Sequence, residues 1–168
     1  DKACIQYRML NRGKGPAVHS LRAQADRKLY QAIMKHTLEM QENLRLKQAE
    51  ITEIGVENGH VAYVRTHTGA TYACRAVVIC SGTYLDSRVI IGDVIINSGP
   101  DGLASSRKLN ECLVNMGLTL RRFKTGTPPR INARSVDFSK MEIQPGDEDP
   151  QPFSFETEKA PENRAACY

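Results

Sequence analysis

Three short stretches of this sequence combine residue types that bind ligands. The first follows the apolar run "AVVIC", which ends on small residues that offer hydroxyl groups and an unobstructed backbone. The second is a basic loop, and the third is a proline-stiffened turn that carries two cations. Their candidate binding residues are Ser81, Gly82 and Thr83 in the first, Arg8, Asn11 and Lys14 in the second, and Lys124 and Arg130 in the third.

The apolar run over residues 76–80 predicts a central strand that is covered on both faces. In open α/β sheets, ligands bind beyond the carboxyl ends of such strands. We therefore expect Ser81, Gly82 and Thr83 to form the floor of a cofactor site, where a larger side chain would collide with the ligand. The pattern is weak evidence by itself, because no GxGxxG phosphate-binding motif is present.

The basic loop "RMLNRGKG" lies just before a predicted helix, whose free N–H groups and dipole would favour an anion. We expect Arg8, Asn11 and Lys14 to lie beside an active site, and a solvated basic turn is the alternative.

In "KTGTPPR", two prolines stiffen the turn, so that Lys124 and Arg130 are held in place at little entropic cost on binding. We expect these two residues to contact the phosphates of a ligand or to lie at the rim of the active site. A rigid connection with no binding role is the alternative.

The elements that must position these residues follow from periodicity and turn signals. Apolar residues at helical spacing predict one amphipathic helix over residues 17–41. Asn58-Gly59 predicts a hairpin between two strands, and Thr68-Gly69 predicts the turn to a third strand. After the buried strand, a helix begins near Ser106, "LTLRRFK" predicts a strand, and the remainder is loop-like. The fold class is α/β.

Composition and charge narrow the protein class. The chain has 168 residues, 40% of them hydrophobic, and no apolar run approaches the roughly 18 residues of a membrane span. Its five cysteines form no CxxC pair and no metal-ligand spacing, so we expect reduced thiols in a cytoplasmic protein without a metal site. Basic residues concentrate in residues 1–36 and 118–140, which suits phosphate-bearing ligands, whereas residues 141–168 are acidic.

Several long blocks carry a specific resemblance in matching order: "IQYRMLNRGKGPAV", "LRAQADRKLY", "AVVICSGTYLDSRVIIG", "LRRFKTGTPPRINARSVDFSKM" and "QPGDEDPQPFSF". Together they resemble the MnmG (GidA) family of tRNA uridine 5-carboxymethylaminomethyl modification enzymes over nearly the whole chain. The abrupt start and end of the sequence predict an internal fragment, inactive when isolated.

The resemblance implies an enzyme that modifies the wobble uridine of tRNA with FAD, with NADH as reductant and a methylene-tetrahydrofolate donor. Its implied partners are tRNA, an MnmE-type GTPase and a second copy of itself. The resemblance also implies that residues 1–117 belong to a Rossmann-like FAD-binding domain and residues 118–168 begin an inserted second domain. It assigns the family's functional cysteines to motifs outside this chain, which leaves the catalytic residues unassigned.

Two positions match cofactor-binding positions of that family. Ile51 matches a residue whose backbone contacts the adenine of FAD, and Ser106 matches a serine that contacts the flavin. One departure concerns a "GGRAG" loop of the family, where this chain has Pro100 in place of the arginine. Two alternatives remain open: a tRNA- or partner-binding domain without catalysis, and a flavin oxidoreductase that acts on a small molecule.

Overall fold

The computed structural model describes residues 1–159 and 162–168 of an α/β chain. The chain forms two compact units. Unit 1 contains Asp1–Leu46 and Thr127–Tyr168, and unit 2 contains Lys47–Gly126. The predicted division into residues 1–117 and 118–168 concerns domains of the whole protein and stays a prediction. Among the described residues, no helix has both the length and the apolar character needed to cross a bilayer.

Unit 1 is built on a β-hairpin. Strand β1 (Cys4–Leu10) pairs antiparallel with β2 (Ser20–Ala25), and two short 3-10 turns lie in the connection. Helix α1 (Arg27–Glu39) follows. The apolar face of the hairpin forms a small core, in which the buried side chains of Cys4 and Tyr7 contact Leu21 and Ala23.

The predicted helix over residues 17–41 is wrong in its first third, because residues 20–25 form β2. Leu21 and Ala23 satisfy a strand period of two, and pairing with β1 turns both of them toward Tyr7. The helix begins only at Arg27, after Asp26, whose carboxylate accepts hydrogen bonds from the N–H groups of Lys28 and Leu29 at 2.9 and 3.0 Å.

Unit 2 begins with the three-stranded meander that the turn signals predict. The strands are β3 (Ile51–Glu57), β4 (His60–Thr66) and β5 (Thr71–Ala73), in the order β3-β4-β5. Asn58 and Gly59 have φ values of 51° and 79°, and Gly69 has a φ of 88°. Both predicted turns are therefore confirmed, since these residue types tolerate the left-handed region.

A second hairpin and a helix complete unit 2. Strands β6 (Val89–Ile91) and β7 (Val94–Ile96) pair with each other, and the sequence pattern predicted neither. Helix α2 (Arg107–Asn115) is confirmed. It packs on β3, where Leu113 and Ile54 are both buried.

Two predicted strands are absent from the structure. Residues 76–80 and 118–124 form no strand, and Val78 is 85% exposed. A strand exists only through hydrogen bonds to a neighbour, and no described segment pairs with either stretch. Residues 127–159 and 162–168 are loop-like as predicted, with short 3-10 turns at Ala133–Ser135 and Phe138–Lys140.

Candidate functional site

A cleft of about 1060 Å³ in unit 1 contains the basic loop. One wall consists of β1, the loop after it and one residue of β2. The other wall is the segment 144–149 from the far end of the sequence. The lining residues that carry side-chain charge or amide groups are Arg8, Asn11, Arg12, Lys14, Arg22, Gln144, Asp147, Glu148 and Asp149.

The outer edge of β1 is bonded to the segment that forms the second wall and to Asn163. The N–H of Tyr7 donates to Oδ1 of Asn163 at 2.7 Å, and the N–H of Met9 donates to Oδ2 of Asp147 at 2.7 Å. In return, the N–H of Asp147 donates to the carbonyl of Tyr7 at 2.9 Å. These bonds satisfy a strand edge that would otherwise expose its polar groups.

Asn163 also bonds to the second wall, because its Nδ2 donates to the carbonyl of Asp147 at 2.7 Å. A Cβ atom added at Gly146 would overlap the Asn163 side chain, so the close approach requires glycine there.

The four cations of the cleft differ in their partners. Arg12 forms an ion pair with Asp147 at 3.0 Å. Arg8 donates from Nη1 to the neutral Oε1 of Gln144. Among the residues that the structure describes, the side chains of Lys14 and Arg22 have no hydrogen bond or ion pair. Three of the four positive charges therefore lack a carboxylate partner.

The structure brings Arg8, Asn11 and Lys14 together in this cleft, but not for the reason that the sequence suggested. Strand β2 separates the basic loop from α1, and Asp26 caps the helix. The helix N-terminus therefore does not serve the loop. Asn11 has a φ of 61° and donates from Nδ2 to the carbonyl of Val18 at 3.1 Å, which holds the loop closed.

In unit 2, Ser81, Gly82 and Thr83 form an exposed or half-buried turn, closed by the N–H of Tyr84 donating to the carbonyl of Ser81 at 3.0 Å. Gly82 has a φ of 53°, and no atom lies within 4 Å of the position that its Cβ would occupy. Within the described chain, the space beside this turn is open.

Ser106 lies next to the same turn. Its N–H donates to the carbonyl of Tyr84 at 2.9 Å, and it forms a parallel bridge with Leu85. Ser106 precedes α2, and its side chain makes no capping hydrogen bond. The 81–83 turn and Ser106 are thus brought together through Tyr84 and Leu85.

Ile51 lies at the start of β3, where it is half-buried and pairs with Thr66. It shares a strand with Ile54, whose N–H donates to Sγ of Cys112 in α2 at 3.4 Å. Ile51 therefore lies in the strand on which α2 packs.

Lys124 and Arg130 are exposed, and neither lies in a helix or strand. They belong to different compact units, since unit 2 ends at Gly126.

Four residues that build the cleft were not predicted, three of them at the second wall and one that supplies the fourth cation. These are Gln144, Asp147, Asn163 and Arg22. The motif "PGDED" signals only an acidic turn. Its one distinctive feature is Gly146 before Asp147, which marks a close approach of the backbone.

A family model, curated proteins and a solved structure that resemble this chain all belong to one family. The family model described as glucose inhibited division protein A matches residues 1–168. The chain is 55% identical over its full length to the tRNA uridine 5-carboxymethylaminomethyl modification enzymes MnmG of Clostridium botulinum (strain Okra / Type B1) and Geobacillus kaustophilus (strain HTA426), and it covers 27% of each. The solved structure of Aquifex aeolicus GidA in its form I crystal is similar, with a TM-score of 0.88 and 43% identity over 99% of this chain and 29% of that one.

Proposed function

The chain belongs to the glucose inhibited division protein A family, and from this premise we propose that the whole protein modifies the wobble uridine of tRNA to its 5-carboxymethylaminomethyl form. The observation that carries the proposal is the 55% identity, over all 168 residues, to proteins named for that modification. The chain spans 27% of the length of the curated relatives that it matches. The activity is therefore proposed for the whole protein, and this segment alone is expected to be inactive.

We propose FAD as the cofactor, held in a Rossmann-like domain to which Ile51, the 81–83 turn and Ser106 contribute. The start of α2 suits a diphosphate, because its first turn contains Lys108 and no acid, and Ser106 makes no capping bond. Arg107 in the same turn forms an ion pair with Asp86 at 3.5 Å. The open space beside Gly82 also fits a bound group. When bound, FAD would supply the redox chemistry, with NADH as reductant and methylene-tetrahydrofolate as carbon donor.

We further propose tRNA as the macromolecular substrate, an MnmE-type GTPase as partner and a homodimer as the assembly, acting in the cytoplasm. Arg8, Asn11 and Lys14 would form the rim of the active site, since they line one cleft in which neither Arg8 nor Lys14 has a carboxylate partner among the described residues. Lys124 and Arg130 would contact tRNA phosphates, because both are exposed on a stretch that is stiffened by prolines.

The whole protein tests this proposal directly. It should purify with the absorption spectrum of a flavin, and it should restore the 5-carboxymethylaminomethyl group to tRNA in a strain that lacks the corresponding enzyme. Nucleoside analysis of the tRNA measures the second outcome. A colourless protein that binds tRNA without modifying it would instead support a binding module, and flavin without any change in tRNA would support an oxidoreductase for small molecules.

The cofactor residues can be tested with two glycines that both have a positive φ. Gly82→Ala and Gly69→Ala both place a side chain at positive φ with open space around it, at φ values of 53° and 88°. If residues 81–83 contact FAD, only Gly82→Ala should reduce the flavin content of the purified protein. Equal flavin content in both variants would remove this turn from the cofactor site.

The proposed tRNA contacts are tested separately, by measuring tRNA affinity and its dependence on salt. Arg130→Glu should weaken tRNA binding and lower the slope of log affinity against log salt by about one for each lost phosphate contact. Flavin content should not change. Arg45→Glu is the control, because Arg45 is also exposed in unit 1. An unaltered affinity and slope would assign the "KTGTPPR" turn a purely structural role.

A further inference from the structure

Asp86 in unit 2 has a backbone conformation that non-glycine residues seldom adopt. Its φ is 42°, in the left-handed region. Its N–H donates to the carbonyl of Ser106 at 3.4 Å, and the preceding Leu85 forms a parallel bridge with Ser106. Residues in such a conformation persist where surrounding contacts fix them, and they are frequent at functional positions. The backbone of Asp86 is therefore held next to a residue that we assign to the cofactor.

The carboxylate of Asp86 bonds to arginines from two different segments. Nη2 of Arg122 donates to its Oδ2 at 2.8 Å, and Nη1 of Arg122 donates to the backbone carbonyl of the same aspartate at 2.9 Å. The other carboxylate oxygen, Oδ1, lies 3.5 Å from Nε of Arg107 in α2. Because Arg122 uses two donors on one residue, both the position and the plane of its guanidinium are fixed.

The Asp86–Arg122 contact attaches a segment that has no regular structure. Among the described residues, Arg122 makes the only hydrogen bonds formed by residues 119–126. Burial does not anchor the segment at Phe123, which is 87% exposed. Lys124 lies two residues beyond Arg122. The position of the Lys124 ammonium group in unit 2 therefore depends on the contact between Asp86 and Arg122.

We propose that Asp86 is a positioning residue, which acts through Arg122 to present Lys124 to a phosphate of the tRNA. This deepens the proposed function and rests on it. The sign of the expected effect separates this role from simple electrostatics. Removal of a negative charge strengthens the binding of a polyanion when the charge acts only through its field, whereas loss of a positioning residue weakens that binding.

The first test compares tRNA affinity of the whole protein with and without the Asp86 charge, at several salt concentrations. Asp86→Asn is the informative variant, because asparagine also tolerates positive φ but carries no charge. It should weaken tRNA binding by about three- to tenfold and lower the slope of log affinity against log salt by about one. Asp93→Asn is the control, since Asp93 is an exposed acid of the same unit and has no ion pair among the described residues. It should leave affinity unchanged or slightly higher.

Combining variants tests whether Asp86 acts through Lys124. Lys124→Gln should weaken tRNA binding by itself, and adding Asp86→Asn should weaken it no further, because both changes remove the same phosphate contact. In the modification assay, Asp86→Asn should raise the KM for tRNA by a larger factor than it lowers kcat. Additive losses of affinity in the double variant would show that Asp86 does not act through Lys124.

Limited digestion with trypsin tests the Asp86–Arg122 contact without any need for flavin or tRNA. Asp86→Asn and Arg122→Gln should both speed cleavage after Lys124, because the segment is no longer attached. Cleavage after the exposed Arg75 should keep its rate, which shows that unit 2 stays folded. Mass spectrometry identifies the fragments.

Two results would overturn the proposal. One is an unchanged rate of cleavage after Lys124 in Asp86→Asn, and the other is tRNA binding in that variant as strong as in the wild type or stronger. Failure of the proposed function gives a different result. If cleavage after Lys124 becomes faster but the wild-type protein neither binds nor modifies tRNA, the proposed function fails, and the positioning of residues 119–126 by Asp86 stands.

Discussion

The two compact units differ in how far apart in the sequence their defining contacts lie. In unit 2, the meander pairs neighbouring strands through short turns at Asn58-Gly59 and Gly69. In unit 1, the outer edge of β1 is satisfied by Asp147 and Asn163, which lie 138 and 156 positions from the residues that they bind. The candidate cleft is formed by these long-range bonds.

The hydrogen bonds of β1 show that side chains, as well as another strand, can satisfy the polar groups of a strand edge. Asp147 and Asn163 accept from β1 through a carboxylate and an amide, where a partner strand would have used its carbonyl groups. Side chains that close a strand edge in this way leave no periodic pattern in the sequence. It also makes the second wall of the cleft depend on a few individual side chains, whereas the meander depends on a regular ladder.

Among the variants considered, Asn163→Ala should cause the largest loss of stability, because it removes long-range hydrogen bonds of unit 1. The change leaves the N–H of buried Tyr7 and the carbonyl of Asp147 without their partners, which should cost about 2–4 kcal/mol of local stability. Hydrogen exchange of the Tyr7 amide in the whole protein measures the effect. Asn97→Ala, at an exposed position in unit 2, is the control. Unchanged protection at Tyr7 would show that pairing with β2 alone holds β1 in place.

The corresponding test in unit 2 is Gly55→Ala. The ring of Tyr63 on the paired strand β4 lies where a Cβ atom at Gly55 would be, so the added methyl group should cost about 1–3 kcal/mol through overpacking. Gly126→Ala serves as control because its Cβ would meet nothing within 4 Å. Adding Tyr63→Ala to Gly55→Ala should recover part of the loss. If the two changes are simply additive in denaturation experiments, the close packing is not the cause.

Alkaline pH should affect unit 1 through Tyr7. Burial of the side chain, followed by the neighbouring Cys4 thiol, raises the pKa of Tyr7 from 10.0 to about 12. The folded state therefore keeps the neutral phenol where the unfolded state ionises. This contribution to stability is complete below pH 10 and is lost as the pH rises from 10 through 12.

Urea denaturation between pH 9 and 12 measures this dependence. Tyr7→Phe should flatten the decline in that range, whereas Tyr30→Phe, at a residue that is 55% exposed, should leave it as in the wild type. A decline of the same size in Tyr7→Phe would assign the alkaline sensitivity to other groups.

The smallest effect is expected at a purely local contact in unit 1. Asp26→Ala removes the carboxylate that accepts from the N–H groups of Lys28 and Leu29, and should destabilise α1 by about 1 kcal/mol. Asp26→Asn should retain most of that stability, because the amide oxygen still accepts. Hydrogen exchange in the first turn of α1 distinguishes the two variants, and the β1 amides should be unaffected in both.

Most elements of unit 2 were predicted correctly. The candidate cofactor residues of this unit, however, were predicted from a buried strand that does not form. The turn at Ser81–Thr83 was expected at the end of a buried strand, yet Val78 is exposed and residues 76–80 pair with nothing in the described chain. An apolar run indicates that residues prefer burial, but the neighbours that provide burial are not encoded in the run itself. The contact between this turn and Ser106 depends on Tyr84 and could not be inferred from spacing.

In unit 1, the sequence identified the basic loop but not its surroundings. Arg8, Asn11 and Lys14 were recognised because their types suit anions. Arg22 was assigned to a helix face, because Leu21 and Ala25 also fit a helical period over so short a stretch. Once residues 20–25 form β2, Arg22 lies opposite Arg8.

The amino-acid sequence was sufficient to predict the family, the two turns of the meander, helix α2 and the basic character of the loop. Each of these depends on neighbouring residues, such as the positive φ that Asn58 and Gly59 tolerate, or on blocks of sequence long enough to be specific. Only the tertiary structure decided that Arg8 faces Arg22, that Gln144 orients Arg8, and that Asp147 and Asn163 close the edge of β1. The physical reason is that a buried backbone group requires a partner but does not specify which distant side chain provides it.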